Sequence, residues 1–369
     1  MKKIFYRRLE VDNNRKKLLQ DEFKKFLYSG NYLPGKMLQK FEQSIAKKVG
    51  KKYCIGVSSG TTAIYLSLVA LGIKKNDEVI CPAISWIATA NAIKMTGATP
   101  IFADVERNRN ISIESVKKLI TSRTKAILTV HFTGLLSPIK ELKKLAKTKN
   151  IFLIEDTAQA FGTFQKKKMA GSFSDVSTFS FNPMKVLQGY GEAGAVLTNS
   201  KNISTKLKKL RDLGLQTNNR EICDFVSLNY KMDELHAYFL LINLKHYKDD
   251  IKKRKRLIKS YQKHLSGIVK NCEYNLKVSN GYDYQILVNN RDKLMRYLQK
   301  KGIETRLKHP LLMSEQPIYK KQKKILRLTN AEYIARHSIS LPLHNYLKDQ
   351  NISFISKCIK NFYKHEKKR

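Results

Sequence analysis

The chain has 369 residues, room for one large domain and a smaller one, and its 42% hydrophobic content is that of a globular rather than a disordered protein. Its formal net charge is +41, from 71 Lys and Arg against 30 Asp and Glu. The charge reads mainly as composition, because lysines spread along the whole chain and no tail or face gathers arginine with aromatics, so no specific nucleic-acid partner is expected. Runs such as Lys252–Arg256 and Lys320–Lys324 read as solvated helix faces, although a basic field of this kind also attracts nucleotide-linked ligands.

The N-terminus, Met1 to Arg8, is basic with no apolar core behind it, which speaks against a secretory signal. No apolar run approaches the roughly 20 residues of a membrane span. Five cysteines (Cys54, Cys81, Cys223, Cys272 and Cys358) are odd in number, scattered and without CxxC spacing. They are expected to be reduced thiols in cytoplasm, with no disulfide framework and no metal site.

From residue 50 to 160, short apolar runs alternate with helical patterns. Tyr53–Val57 reads as a strand and Thr61–Leu71 as a helix closed by Gly72. Asp77–Cys81 is a second strand, followed by a helix from about Ala88. Thr99–Ala103 and Ala126–Val130 are the third and fourth strands. A lysine-rich helix covers Ile139–Thr148, and Ile151–Glu155 is the fifth strand. This order predicts an α/β fold with a mostly parallel sheet flanked by helices, whose ligands sit beyond the carboxyl ends of the strands. From about Lys245 the chain becomes helical and basic. Tyr284–Val288 then reads as a strand, and Asn290 as the N-cap of a helix over Arg291–Lys301 that stops at Gly302. Ile303–Arg306 reads as the next strand. A large domain over 1–245, with an N-terminal helical segment, and a smaller C-terminal α/β domain over 246–369 are expected.

Four local patterns fall where such a fold binds ligands. Val57–Thr62 joins a strand to a helix: Gly60 permits a tight turn, while Thr61 and Thr62 put amides and hydroxyls at a helix N-terminus, which suits a phosphate and equally an ordinary N-cap. Trp86, the single tryptophan, either stacks on a planar ring or packs in the core. Asp156 is polar where an apolar strand ends, and Gln159 follows one helical turn later. Ser180 and Lys185 lie in Phe179–Lys185, with apolar flanks and a glycine-rich stretch behind. A lysine amine forms a Schiff base with an aldehyde, and a carboxylate holds a pyridine nitrogen protonated. Lys185 and Asp156, 29 residues apart, therefore supply both groups that pyridoxal 5'-phosphate (PLP) chemistry requires.

Taken in order, these segments closely resemble the DegT/DnrJ/EryC1/StrS sugar aminotransferases of the fold type I PLP-dependent transferases. Trp86–Asn91, Gly97–Asp104, Val130–Gly134, Gly191–Gly194, Asn229–Leu235 and Leu341–His344 extend the match through nearly the whole chain. The resemblance implies that Lys185 is the Schiff-base lysine, Asp156 the partner of the pyridinium nitrogen, Gln159 a contact of the ring hydroxyl and Trp86 the stacking ring. It implies that Gly60, Thr61, Thr62 and Ser180 hold the phosphate, and that Asn229 reaches the phosphate in the neighbouring subunit of a homodimer with shared active sites. His131 matches a family histidine, read as packing near the site in preference to transferring protons. The implied reaction moves an amino group from L-glutamate to a nucleotide-linked keto-sugar, for amino-sugar and surface polysaccharide (lipopolysaccharide O-antigen) biosynthesis. Loops around Leu33–Lys36, Asn182–Met184 and Lys308–Tyr319 are expected to touch substrate, with Asn182, Lys308 and His309 as candidates. The chain departs from the family pattern at Ala193, at Leu136–Pro138 and at Asn182, where a histidine is common; these departures bear on which sugar is used. A PLP-dependent sugar dehydratase on the same fold is the first alternative, disfavoured because such relatives commonly replace the lysine with histidine. A non-enzymatic basic binding or regulatory protein is the second.

Overall fold

A computed structural model describes residues 3–271, 274–321 and 326–366. Cys272 and most of the Lys320–Lys324 run lie outside the described residues. The five predicted strands of the first half form as β1 (Tyr53–Val57), β2 (Glu78–Pro82), β3 (Thr99–Ala103), β4 (Thr124–Val130) and β5 (Phe152–Asp156). A short hairpin, β6 (Phe164–Gln165) and β7 (Lys168–Met169), precedes two further strands, β8 (Val176–Ser180) and β9 (Gly194–Thr198). The seven-stranded sheet has the order β1-β9-β8-β5-β4-β2-β3. All its neighbours run parallel except β9, which is antiparallel to both β1 and β8.

Side chains alternate across this sheet. Val79, Cys81, Leu128 and Ile154 pack on one face with Ile64 and Leu68 of the helix Gly60–Ala70 and with Ile93 of the helix Ala88–Met95. Ile80, Ile127 and Leu153 pack on the other with Val116 and Leu119 of the helix Ile113–Leu119 and Leu142 of the helix Ile139–Thr148. Because both faces are covered, the central residues of β2, β4 and β5 are apolar on both sides, and this makes them legible as short unbroken runs. Six of the seven strands run the same way, so each of these delivers its last residue and the following turn to the same edge, where β9 begins.

Two helices, Asn13–Ser29 and Lys36–Val49, precede β1. The second begins on the carboxylate of Glu234, which accepts the amides of Gly35 (2.7 Å), Met37 (2.6 Å) and Leu38 (3.1 Å) and so satisfies helix-start donors left free by geometry. In the last third, β10 (Lys270–Asn271), β11 (Gln285–Leu287) and β12 (Ser338–Ser340) form an antiparallel sheet. Helices Tyr247–Leu265, Arg291–Lys300 and Asp349–Glu366 accompany it, and Leu257, Tyr261, Tyr284, Ile286, Leu294 and Ile359 belong to one apolar cluster there.

The expected strand Ile303–Arg306 does not form. Ile303 makes one isolated bridge to Ile4, and Arg306 one to Ser340. The segment passes from the N-terminal residues to the edge strand β12 and pairs once with each, so no ladder builds. Cys54, Cys81 and Cys358 are buried free thiols and Cys223 an exposed one. Among the described residues no helix is long and apolar enough to cross a membrane.

Candidate active site

The carboxyl ends of β5 and β8, the turn after β1 and the loop after β2 surround a cavity of about 970 Å³. Gly60, Thr61, Trp86, Asp156, Gln159, Ser180, Asn182, Lys185, Lys308 and His309 all line it. The topology explains the convergence, since residues remote in sequence end adjacent strands at one sheet edge.

Asp156 is buried, and its Oδ1 accepts the Ala158 amide at 3.0 Å. Burial pushes its carboxyl above the usual range, opposed by that amide and by the positive charge of Lys185. Behind it, the His131 amide donates to the Asp156 carbonyl at 3.1 Å. The wholly buried His131 ring accepts the Ser137 amide at Nδ1 (3.1 Å), which places its proton on Nε2, 3.2 Å from Glu155. Glu155 also accepts the amides of Gly171, Phe173 and Ser174. Burial works to raise this carboxyl, yet the imidazole and amide donors hold it below the ordinary range. Both ring nitrogens of His131 are thus engaged, Nδ1 with Ser137 and Nε2 with Glu155, the neighbour of Asp156. Gln159 is held by its Oε1, which accepts the Thr133 amide at 2.8 Å.

The turn after β1 is shaped by close packing. The Ser59 hydroxyl accepts the Thr62 amide at 3.0 Å and caps the helix Gly60–Ala70. A β-carbon on Gly60 would lie 2.6 Å from Ser180 Cβ, and one on Gly194 only 2.3 Å from the Ser59 carbonyl oxygen. Glycines therefore let the turn, Ser180 and β9 meet. Thr62 lies just behind the lining, its hydroxyl bonded to Ser58 and Ser59. Lys185 is half-buried, in a turn closed by its own amide to Asn182 (2.9 Å). Trp86 stands at the mouth with 65% of its surface exposed.

Lys308 and His309 enter from the small-sheet side. Lys308 Nζ lies 3.2 Å from Asp283. His309 adopts φ 54°, a left-handed conformation costly for a residue with a side chain. This turns its ring between Trp86 (centroids 6.1 Å apart) and Phe132 (5.4 Å). Burial, with Lys308 nearby, pushes the imidazole down to about 4, so it is neutral at pH 7.

Sequence reasoning missed Tyr282, which also lines the cavity, and the group around it: Tyr6, Arg7 and Asp283. Arg7 donates to the Tyr282 carbonyl at 2.6 Å, and the Tyr6 hydroxyl to Asp283 at 2.9 Å. A Tyr-Asp pair just ahead of a predicted strand was the available signal; the N-terminal partners lie some 275 residues away. Two expected contributors stand apart from this cavity. Leu33–Lys36 is not in the lining. Asn229 is exposed, its Oδ1 accepting the Lys231 amide at 3.3 Å, and beside it Val226 and Leu228 present bare apolar side chains to solvent.

The model of the DegT/DnrJ/EryC1/StrS aminotransferase family matches residues 13–360. A GDP-perosamine synthase of Vibrio cholerae is 34% identical over 369 residues, covering 96% of this chain and 97% of its own. A dTDP-3-amino-3,6-dideoxy-alpha-D-galactopyranose transaminase of Aneurinibacillus thermoaerophilus is 31% identical over 361 residues, covering 96% and 97%. The solved structure of NtdA from Bacillus subtilis with bound cofactor PMP superposes with a TM-score of 0.91 at 28% identity, covering 98% of this chain and 86% of that one. The chain belongs to the DegT/DnrJ/EryC1/StrS aminotransferase family.

Proposed function

We propose that this protein is a PLP-dependent aminotransferase that moves an amino group from L-glutamate to a nucleotide-linked keto-sugar. One observation carries the reading: an amine, a buried carboxylate, a helix N-terminus and an exposed indole line a single cavity. Each matches one part of PLP. The amides of Gly60 and Thr61, with Ser180, suit the phosphate. Trp86 offers the ring a stacking face. Asp156 is a carboxylate raised by burial, which a cation opposite it would relieve; a protonated pyridine nitrogen is such a cation. The cofactor, when bound, supplies an electron sink for the charge that develops on carbon.

The chain's own residues then divide the work. Lys185 holds the cofactor through its amine. The same Nζ, when free, would take the proton from the donor's α-carbon and later give it back, acting as base and then acid. Asp156 would keep its negative charge opposite the pyridine nitrogen, and Gln159 would steady the ring hydroxyl. With one site serving donor and acceptor in turn, ping-pong kinetics follow. Lys308, His309 and Asn182 are the substrate-facing groups. The relatives' names support a nucleotide-linked sugar.

In this reading two chains pair so that Asn229 of each serves the phosphate site of the other, supported by the apolar side chains exposed beside it. Residues 1–245 act as the cofactor domain and 246–369 as the smaller domain, supported by the latter's own apolar cluster. The enzyme works in the cytoplasm, supplying amino sugar for a surface glycan. The test supplies purified protein with PLP, glutamate and a panel of GDP-, UDP- and dTDP-linked keto-sugars, read by mass. An aminated sugar that disappears in Lys185→Ala supports the proposal. A dehydrated product, or turnover that survives the substitution, refutes it.

A further inference from the structure

Tyr282 is almost fully buried in the cavity wall. Three cations crowd its ring: Lys308 Nζ at 4.5 Å from the centroid, the Arg7 guanidinium at 4.9 Å and Lys185 Nζ at 5.4 Å. They arrive from the N-terminal segment, from the turn after β8 and from the loop beyond Arg306. Arg254, on the helix Tyr247–Leu265, is buried behind and also feels the phenol. Two of its nitrogens, Nε and Nη1, are buried without a hydrogen-bond partner among the described residues.

The negative charge facing this group is largely committed elsewhere. Asp283 accepts from Tyr6 (2.9 Å), Gln285 (2.7 Å) and Ser340 (2.8 Å) besides its pair with Lys308. Asp250, near Arg254, is bonded to Arg15 and Asn345. A neutral phenol at Tyr282 therefore leaves buried positive charge uncompensated, whereas a phenolate offsets part of it. Burial by itself raises a phenol, as it does for Tyr6 and Tyr274. At Tyr282 the ammonium groups of Lys185 and Lys308 and the guanidinium of Arg7 outweigh burial and bring the hydroxyl down to about 7.

We propose that Tyr282 is a positioning residue for Lys185: its phenolate is the counter-ion of the Lys185 ammonium, and takes up the proton that this amine sheds when it bonds to an aldehyde. In that step an Nζ–H bond breaks, its electron pair stays on nitrogen, and an Oη–H bond forms; nothing is oxidised or reduced. A base poised near neutral pH is well matched to the task. The inference rests on Lys185 being the reactive amine of the proposed function.

The experiment uses the full-length protein freed of cofactor. The tyrosinate ultraviolet band is followed as pH rises, in wild type, Tyr282→Phe and Lys308→Met. One of the 18 tyrosines is expected to ionise near pH 7, well ahead of the rest. Tyr282→Phe, which keeps the ring, removes that step. Lys308→Met, which removes one cation, moves it upward by about one unit. The rate at which added PLP is captured is then measured against pH. Wild type accelerates through the same transition, while Tyr282→Phe lacks that limb and is slower by about tenfold or more at neutral pH. Absence of any tyrosine ionising before the alkaline range overturns the proposal, as does an unchanged capture profile in Tyr282→Phe. If that variant does not fold, the wild-type titration and its response to Lys308→Met decide. The titration needs neither sugar nor turnover, so its outcome is independent of whether the proposed transamination is found.

Discussion

Replacing Asp156 with asparagine separates the stability of the fold from the chemistry of the site. Asparagine keeps an Oδ1 for the Ala158 amide, 3.0 Å away, and nearly the same shape. What it removes is a charge that burial disfavours. Relief of one such buried mismatch is worth about 1 kcal/mol, so the cofactor-free variant is expected to melt higher than wild type by ~2 °C for a chain of this size. The pH dependence follows from the direction of the shift. An acid whose folded pKa is raised binds its proton more tightly folded than unfolded. Asp156 therefore costs stability at neutral pH, and the cost fades as pH falls into the carboxylate range, a slope absent from Asp156→Asn. With cofactor present the order reverses: if Asp156 serves as proposed, losing its charge should lower turnover by about 10²–10³. Scanning calorimetry of both cofactor-free proteins from pH 5 to 8, beside turnover assays, reads each quantity. A variant less stable than wild type, or one that keeps turnover within about tenfold, would refute the reasoning.

Glu155→Gln presents an amide to three backbone donors and a histidine, and should destabilise the fold by about 2–4 kcal/mol in denaturant titration. Because Glu155 is held below the ordinary carboxylate range, its contribution is complete at neutral pH and is lost as pH falls through the folded value. The variant should lack that part of the acid transition. Trp86→Ala touches an exposed ring and should change stability by less than about 0.5 kcal/mol, yet weaken retention of PLP by roughly tenfold in equilibrium dialysis. Mixing Lys185→Ala with Asn229→Ala chains tests the shared site. Random pairing yields one intact site in half of the dimers, so activity should recover to about a quarter of wild type; no recovery would place each site within one chain.

How much of this was legible depends on how local each signal is. Thr99–Ala103 and Ile139–Thr148 form with the bounds the apolar patterns give, and Tyr53–Val57 likewise, because strands and helices buried against both sheet faces show their periodicity directly. Asp156 was recognisable as a carboxylate where an apolar strand stops. β9 was hidden by the glycines around it, which serve close packing and look like a loop in sequence. Ile303–Arg306 has strand-like residues but meets two different partners, which no window of sequence reveals. Tyr282 shows locally only as half of a Tyr-Asp pair ahead of a strand; the cations that define its setting come from Arg7, Lys185 and Lys308. Its chemistry exists only once the chain has closed on itself.

The place of β9 has a bearing on how the protein is made. β1 is complete at residue 57, yet its neighbour in the sheet is β9, residues 194–198. During synthesis the glycine turn at its end therefore leaves the ribosome long before the strand that braces it. Until then β1 is an unsatisfied edge, a surface open to wrong pairing or to a chaperone. Closure over so long a span is slow in folding terms. PLP capture is accordingly a late event in the life of the nascent chain, and one that reports that the sheet has been assembled in its proper order.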